Sequence, residues 1–288
     1  MTIDPFLYLA FGIGLLAGRL TPWRSVWVGR SIFATILVLI FTLGASLGGL
    51  NGITALLTIP EALGFAGLIL ALTAGISLLL PRPPVSDLLP VTAPSPLVPP
   101  GLIFLSALVI GFLVGRIETF ATGTVLTGSL YVLLALVAFD LQLNRRGLHR
   151  VWIPLTAAVS AATIAGLVVG ILSPLGLPAT LATTFGFGWY TLAGPLVAAR
   201  IGTAVGLFAF LTNFFRENLT MVLAPWAGDR LKGEGLTALG GATAMDTTLY
   251  FITRYGDREA GSLALTSGLI LTVAASLLLP LFLSLPGA

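Results

Sequence analysis

Eight continuous apolar runs, at residues 5–20, 31–50, 62–80, 101–118, 124–143, 151–172, 203–227 and 260–284, constrain this chain more than any other feature. A helix needs roughly 20 mostly apolar residues to cross the hydrocarbon core of a bilayer, and these runs sit near that length. They are unbroken rather than alternating, which disfavours a membrane β-barrel. Only 9% of the 288 residues are charged, against about a quarter in soluble domains, so a water-facing surface cannot be built. The fold class expected is an all-α integral membrane protein, multi-pass in the plasma membrane.

Two further segments do not read as ordinary crossings. Residues 184–200 place Gly186, Gly188, Gly194 and Pro195 among aromatics and hydroxyls, and residues 240–254 are short and polar at their centre. Glycine and proline weaken helix continuity. Non-helical backbone survives at membrane depth only when buried in protein or lining a cavity. Both segments are therefore expected to be broken or re-entrant beside about eight full helices, although a ten-pass arrangement with both crossing stays open.

Repeated proline between Pro81 and Pro100 makes residues 81–100 a linker, because proline removes backbone donors and favours extended chain. It separates a first three-helix unit, 1–80, from a second unit carrying the transport-site region, 101–288. The phrase GLLAGRL at Gly14–Leu20 recurs as GFLVGRI at Gly111–Ile117. A repeat of three helices enters the membrane upside down the second time, and inverted repeats mark secondary transporters. Chance recurrence of glycine and leucine in membrane helices is the alternative.

The 14 basic and 11 acidic residues give a net charge of +3, and the cations fall singly or in small groups between apolar runs. That suits anchoring at a lipid surface and not nucleic-acid binding. Residues 6–20 lack a basic leader and a small-residue cleavage site, so they are expected to stay as a helix. With no cysteine and one histidine, His149, in a basic loop, thiolate metal sites, serine–histidine pairs and HExxH zinc sites have no candidate at membrane depth. No phosphate loop is present either, so no enzyme activity and no cofactor are expected beyond a coupling ion, a proton or Na+.

The acids inside apolar runs carry the functional reading, because an intramembrane charge costs roughly 2.5–3.5 kcal/mol on insertion scales and is functional by default. Glu217 shares a helix face with Asn213 and Thr220 at spacings of four and three. Pairing with Arg216 is the structural alternative, but adjacent residues on a helix point about 100° apart, which leaves Arg216 for an acid on another helix. Asp246 stands among Thr243, Thr247, Thr248 and Tyr250, where unwound backbone can hold a proton, a small cation or a substrate ammonium; capping a short helix is the alternative. Asp140, near the end of the fifth run and within reach of Arg145, is a secondary candidate.

Three phrases, GFGWYTLAGP at Gly186–Pro195, FLTNFFRENLTMVLAP at Phe210–Pro225 and GGATAMDTT at Gly240–Thr248, resemble the LysO-type lysine exporters of bacteria and archaea. The resemblance extends loosely over the whole chain. It implies export of L-lysine and its toxic analogue thialysine, eight helices with both termini outside, and two essential acids, which fall on Glu217 and Asp246. The site expected from residues and resemblance together comprises Glu217, Asp246, Asn213, Thr243, Thr247, Gly186, Gly188, Trp189 and Tyr190, with Asp140 and Arg216 secondary. In that scheme the backbone of the Gly186–Gly194 segment receives the substrate carboxylate. A Na+/H+-type cation antiporter and a non-transporting membrane scaffold subunit are the alternatives.

Arginine-bearing loops alternate with the cation-poor loop 51–61, so the positive-inside rule puts Arg24, Arg145 and Lys232 in the cytoplasm. Single cysteines at these three positions are expected to resist an impermeant thiol reagent in intact cells and to react after lysis. Labelling of all three from outside would reverse the orientation.

Overall fold

The computed structural model describes residues 5–21, 26–48, 52–81, 100–117, 122–140, 150–245, 247–257 and 259–286. Its elements are α1 (Pro5–Leu20), α2 (Val26–Gly48), α3 (Gly52–Leu79), α4 (Pro100–Ile117), α5 (Thr122–Asp140), α6 (Trp152–Leu172), α7 (Gly176–Thr184), α8 (Tyr190–Arg200), α9 (Thr203–Gly240), a 3₁₀ turn (Gly241–Met245), α10 (Leu249–Tyr255) and α11 (Ala260–Phe282). No strand occurs among the described residues. Each of the eight apolar runs falls on a helix among the described residues, and the chain is an all-α membrane protein. Trp27–Ala45, Thr58–Leu79, Trp152–Leu172 and Ala260–Phe282 are long and apolar enough to cross a bilayer on those grounds alone.

The outer faces of these helices are oily. Leu9, Ile13 and Leu16 on α1 and Leu167, Val168 and Ile171 on α6 are exposed, as suits a surface solvated by lipid and not by water. Between helices, contact depends on small residues, which let backbones approach. A Cβ added to Gly14 or Gly18 would strike the backbone of Ala135 or Phe139 on α5, and one added to Gly111 or Gly115 would strike Phe41 or Ala45 on α2. The recurring phrase thus packs reciprocally, α1 on α5 and α4 on α2. Residues 82–99 of the proline-rich linker lie outside the described residues.

Both broken segments are helical hairpins, and each begins earlier than its sequence suggests. In the second, Lys232 has φ 55° and ψ −165°, which breaks α9 into limbs at 203–231 and 233–240. The shorter limb and α10 form the hairpin's two arms. At its base a Cβ on Gly228 would lie 2.6 Å from the Tyr255 carbonyl and one on Gly233 2.8 Å from an Asp257 oxygen; near the tip one on Gly240 would lie 2.6 Å from Thr248 Oγ1. The first hairpin has arms α7 and α8. Helix α7 runs back along α6, with Thr180 Oγ1 donating to the Gly166 carbonyl at 2.8 Å. Helix α8 instead packs on α9, Gly194 against Phe210 and Ala198 against Gly206.

The two hairpins enter from opposite ends of the bundle. Arg150, beside the start of α6, contacts Glu234 at the base of the second hairpin, so the far end of the long α9 limb and the start of α6 share one end. The start of α9, the end of α6 and hence both ends of the first hairpin share the other. The inbound arms Gly176–Thr184 and 233–240 were not legible as elements, because arms of eight or nine residues are too short for apolar periodicity to register. Helix α3 also starts ten residues before its apolar run, carrying Pro60 inside it.

A buried ionic cluster fastens the second hairpin. The Arg150 guanidinium donates to Glu234 Oε1 through Nε at 2.7 Å, to Asp257 Oδ2 through Nη2 at 2.9 Å and to Glu259 Oε2 through Nη1 at 2.9 Å. It therefore ties the start of α6 to both the inbound arm and the approach to α11. Burial opposes the charge on Arg150, and the hydrogen bonds to Glu259, Glu234 and Asp257 override it, raising its pKa above that of ordinary arginine. Arg150→Met leaves three acids without their cation. Breaking one side of a buried pair costs about 3–5 kcal/mol, so a clear loss of melting temperature in detergent is expected. Glu259→Gln should change it little, since that side chain is 45% exposed and exposed pairs contribute about 1 kcal/mol or less. An unchanged melting temperature for Arg150→Met would show that the cluster does not hold the hairpin.

Candidate functional site

The tips of the two hairpins meet beside the middle of the long α9 limb. The first tip, 185–189, is a run of turns in which Phe187 has φ 50° and Gly188 φ 89°. Glycine occupies the left-handed region without steric cost, whereas a branched side chain there does not. Gly186 has its own reason to be small: a Cβ on it would lie 2.8 Å from Asn213 Oδ1. The second tip turns at Gly241, φ 63°, where a Cβ would strike the Phe187 carbonyl. That carbonyl accepts a hydrogen bond from Ala242 N–H at 2.9 Å, joining tip to tip.

Helix α9 supplies the polar stripe that serves both hairpins. Asn213 Oδ1 accepts from Gly188 N–H at 2.8 Å, and its Nδ2 donates to the Thr183 and Ala209 carbonyls, each at 2.9 Å. One amide side chain thus secures the first tip. Thr220 Oγ1 donates to the Arg216 carbonyl at 2.8 Å and reaches the Leu239 carbonyl at 3.3 Å, while Arg216 Nη2 reaches the Ala238 carbonyl at 3.4 Å. These last contacts touch the inbound arm of the second hairpin. Asn213 is 1%, Arg216 1% and Glu217 2% exposed, so these three side chains are shielded from solvent.

Several expected site residues are brought together here. Gly186, Gly188 and Asn213 touch directly, and Thr243 lies against Gly188, its Oγ1 donating to the Gly240 carbonyl at 2.9 Å. Thr248 Oγ1 donates to the Thr243 carbonyl at 2.9 Å, closing the second tip. Tyr190 is buried in an aromatic group, edge-on to Phe210 at 5.2 Å and to Phe214 at 5.6 Å. Trp189 caps α8 and is half-buried, and Thr247 lies in the second tip, also half-buried. Asp246 lies outside the described residues. Asp140 is the last residue of α5, which packs on α1 and α2.

Two aspects of the site differ from the sequence reading. Arg216 was expected to find an acid on another helix. Among the described residues no carboxylate pairs with it; its guanidinium lies 5.9 Å from the centre of the Phe187 ring, and Nε and Nη1 have no hydrogen-bond partner among those residues. The first tip was expected to offer backbone amides to an anion. Instead every N–H from Gly186 to Tyr190 is already used: Gly186 to Thr183 O, Phe187 to Thr184 O, Gly188 to Asn213, Trp189 to Gly186 O and Tyr190 to Gly188 O. The tight turns thus occupy the N–H groups of the first five residues of the Gly186–Gly194 segment.

The cluster of Arg150, Glu234, Asp257 and Glu259 was missed altogether. Its one sequence signal is the pair of acids, Asp257 and Glu259, just before an apolar run, and nothing in spacing links them to an arginine more than 100 residues away.

The family model described as "Lysine exporter LysO" matches residues 104–283. A protein of Escherichia coli (strain K12) described as "Lysine exporter LysO" is 34% identical over 145 residues, covering 50% of this chain and 46% of that protein. A "Putative lysine exporter" of Haemophilus influenzae is 32% identical over 195 residues, covering 63% of this chain and 97% of that protein. The chain thus aligns with a little under half the length of the first relative and nearly all of the second. No solved structure matches the chain at a significant level. The matched span of the family model takes in well over half of the chain, including both hairpin tips and the whole polar stripe of α9, and on that ground the chain belongs to the LysO lysine exporter family.

Proposed function

We propose that this protein exports L-lysine, and with it thialysine, across the plasma membrane in exchange for protons, by alternating access around the meeting point of the two hairpins. The observation that carries this reading is the crossing of two unwound tips, one from each end of the bundle, against a buried stripe that includes Glu217. Irregular backbone at membrane depth lines substrate and ion sites in secondary transporters, and the relatives named above are described as lysine exporters.

In the proposed cycle Glu217 and Asp246 bind the two ammonium groups of lysine while deprotonated and are discharged by protons from the outer side. Carboxylates brought close in a poorly hydrated site repel one another, so one is protonated when no substrate is present and lysine binding releases that proton. The localisation that follows is a multi-pass plasma-membrane protein with both termini outside.

Proteoliposomes carrying an imposed proton gradient test the substrate and the coupling together. Lysine movement that responds to the gradient is the expected result; movement of Na+ alone would identify a cation antiporter, and no movement would leave a scaffold. Glu217→Gln and Asp246→Asn keep size but remove charge, and each should eliminate lysine export while the protein still inserts. Because such groups act as a unit, the double variant should be little worse than either single one. Wild-type thialysine resistance from a well-expressed single variant would reduce that carboxylate to a structural role.

Gly188→Leu should also abolish transport, since a left-handed φ costs a non-glycine residue about 1–2 kcal/mol and the added side chain meets the Gly240 carbonyl and Thr243. Full export by that variant would remove the first tip from the transport pathway.

A further inference from the structure

We infer that Arg216 is the receptor for the carboxylate of the transported amino acid, and that it is the residue by which the site tells an amino acid from a simple diamine. The inference rests on the lysine reading above and adds an anion subsite to it. Arg216 is 1% exposed and belongs to the largest fully buried side chains of the protein. A guanidinium carries five N–H donors in a rigid fork that matches a carboxylate. Here one nitrogen, Nη2, makes a long contact of 3.4 Å to the Ala238 carbonyl, and Nε and Nη1 bond to nothing among the described residues.

A buried guanidinium with two idle nitrogens is costly to maintain, and a purely structural arginine would use them. Position adds the second argument. The guanidinium lies at the seam of the two tips: its Nη2 would be 3.0 Å from a Cβ placed on Gly241, and the Phe187 ring of the opposing tip lies 5.9 Å from it. Gly241 therefore lets the second tip come against both the Phe187 carbonyl and the Arg216 fork, an approach that any side chain would block.

In the first tip the N–H groups of Gly186 to Tyr190 are all committed, which leaves the guanidinium as the cationic donor at the seam. The charges then match in number. Lysine at neutral pH presents two ammonium groups and one carboxylate. In the cycle proposed above Glu217 and Asp246 supply two carboxylates, and Arg216 would add one cation, so that the loaded site would be neutral. A diamine of the same reach would leave Arg216 unopposed beside two added positive charges.

The test compares L-lysine with 1,5-diaminopentane, which is lysine without its carboxylate, as ligands of the purified full-length protein in nanodiscs. For the wild type the diamine should compete with radiolabelled lysine at least about tenfold more weakly than lysine itself, since a site built to hydrogen-bond a group rejects the analogue that lacks it. Arg216→Gln should lose at least about tenfold in lysine affinity and lose the preference, so that lysine and diamine compete alike. Arg216→Lys, which keeps the charge without the fork, should fall between them.

Equal competition by lysine and diamine in the wild type overturns the inference without any variant, as does a wild-type preference retained by Arg216→Gln. In both cases lysine still binds and the substrate reading stands. Absence of lysine binding by the wild type overturns the substrate reading and this inference with it.

Discussion

Backbone polar groups at membrane depth have no water to turn to, and the arrangement of this site follows from how they are satisfied. An unwound segment in hydrocarbon costs several kcal/mol for each orphaned N–H or carbonyl. The first tip meets that constraint within itself and through Asn213, whose side chain serves Gly188 N–H and the Thr183 carbonyl at once. What remains, the Phe187 carbonyl, is satisfied by Ala242 N–H of the other tip. The two hairpins are thus completed by each other and by α9, and neither tip has all its partners without them.

That constraint explains why glycine is concentrated here. Gly186 gives Asn213 room to reach the tip, Gly188 supplies a left-handed turn, and Gly241 allows the second tip to come against the Phe187 carbonyl. Sequence reading singled out Gly186 and Gly188 because glycine and proline interrupt that stretch; the second tip stood out by its short, polar centre, and Gly241 was not singled out. It also found Glu217 and Asn213, because polar residues four apart on an apolar helix are conspicuous. Helix existence was equally legible, each of the eight apolar runs falling on a helix among the described residues.

What could not be read was long-range or short. Nothing local announces that Arg150 sits among Glu234, Asp257 and Glu259, because the elements that bring them together are far apart in sequence. The inbound arms of the hairpins were hidden for the opposite reason. Gly176–Thr184 and 233–240 hold too few residues to show a helical period, and the backbone break at Lys232 has no signature in a lysine. Arg216 was misread through a sound rule applied to the wrong partner: a buried arginine does need anions, but among the described residues none is supplied.

The distribution of polar contacts also sets where the site can open. Each hairpin is bound to α9, the first through two hydrogen bonds of Asn213 and the second through Thr220 and Arg216, and the base of the second is held further by Arg150. Between the tips the backbone polar link is the Ala242–Phe187 bond, the one such bond among the described residues, and an ordinary hydrogen bond contributes about 1 kcal/mol net. Asn213, Arg216 and Glu217 beside it are 1–2% exposed. Parting the tips exposes the site at the expense of one backbone bond and some glycine packing. Separating either hairpin from α9 would strand Asn213 or the inbound-arm carbonyls in hydrocarbon. Among the described residues the seam therefore carries fewer polar bonds than either hairpin's attachment to α9, and it lies beside the Nε and Nη1 of Arg216 on its buried helix.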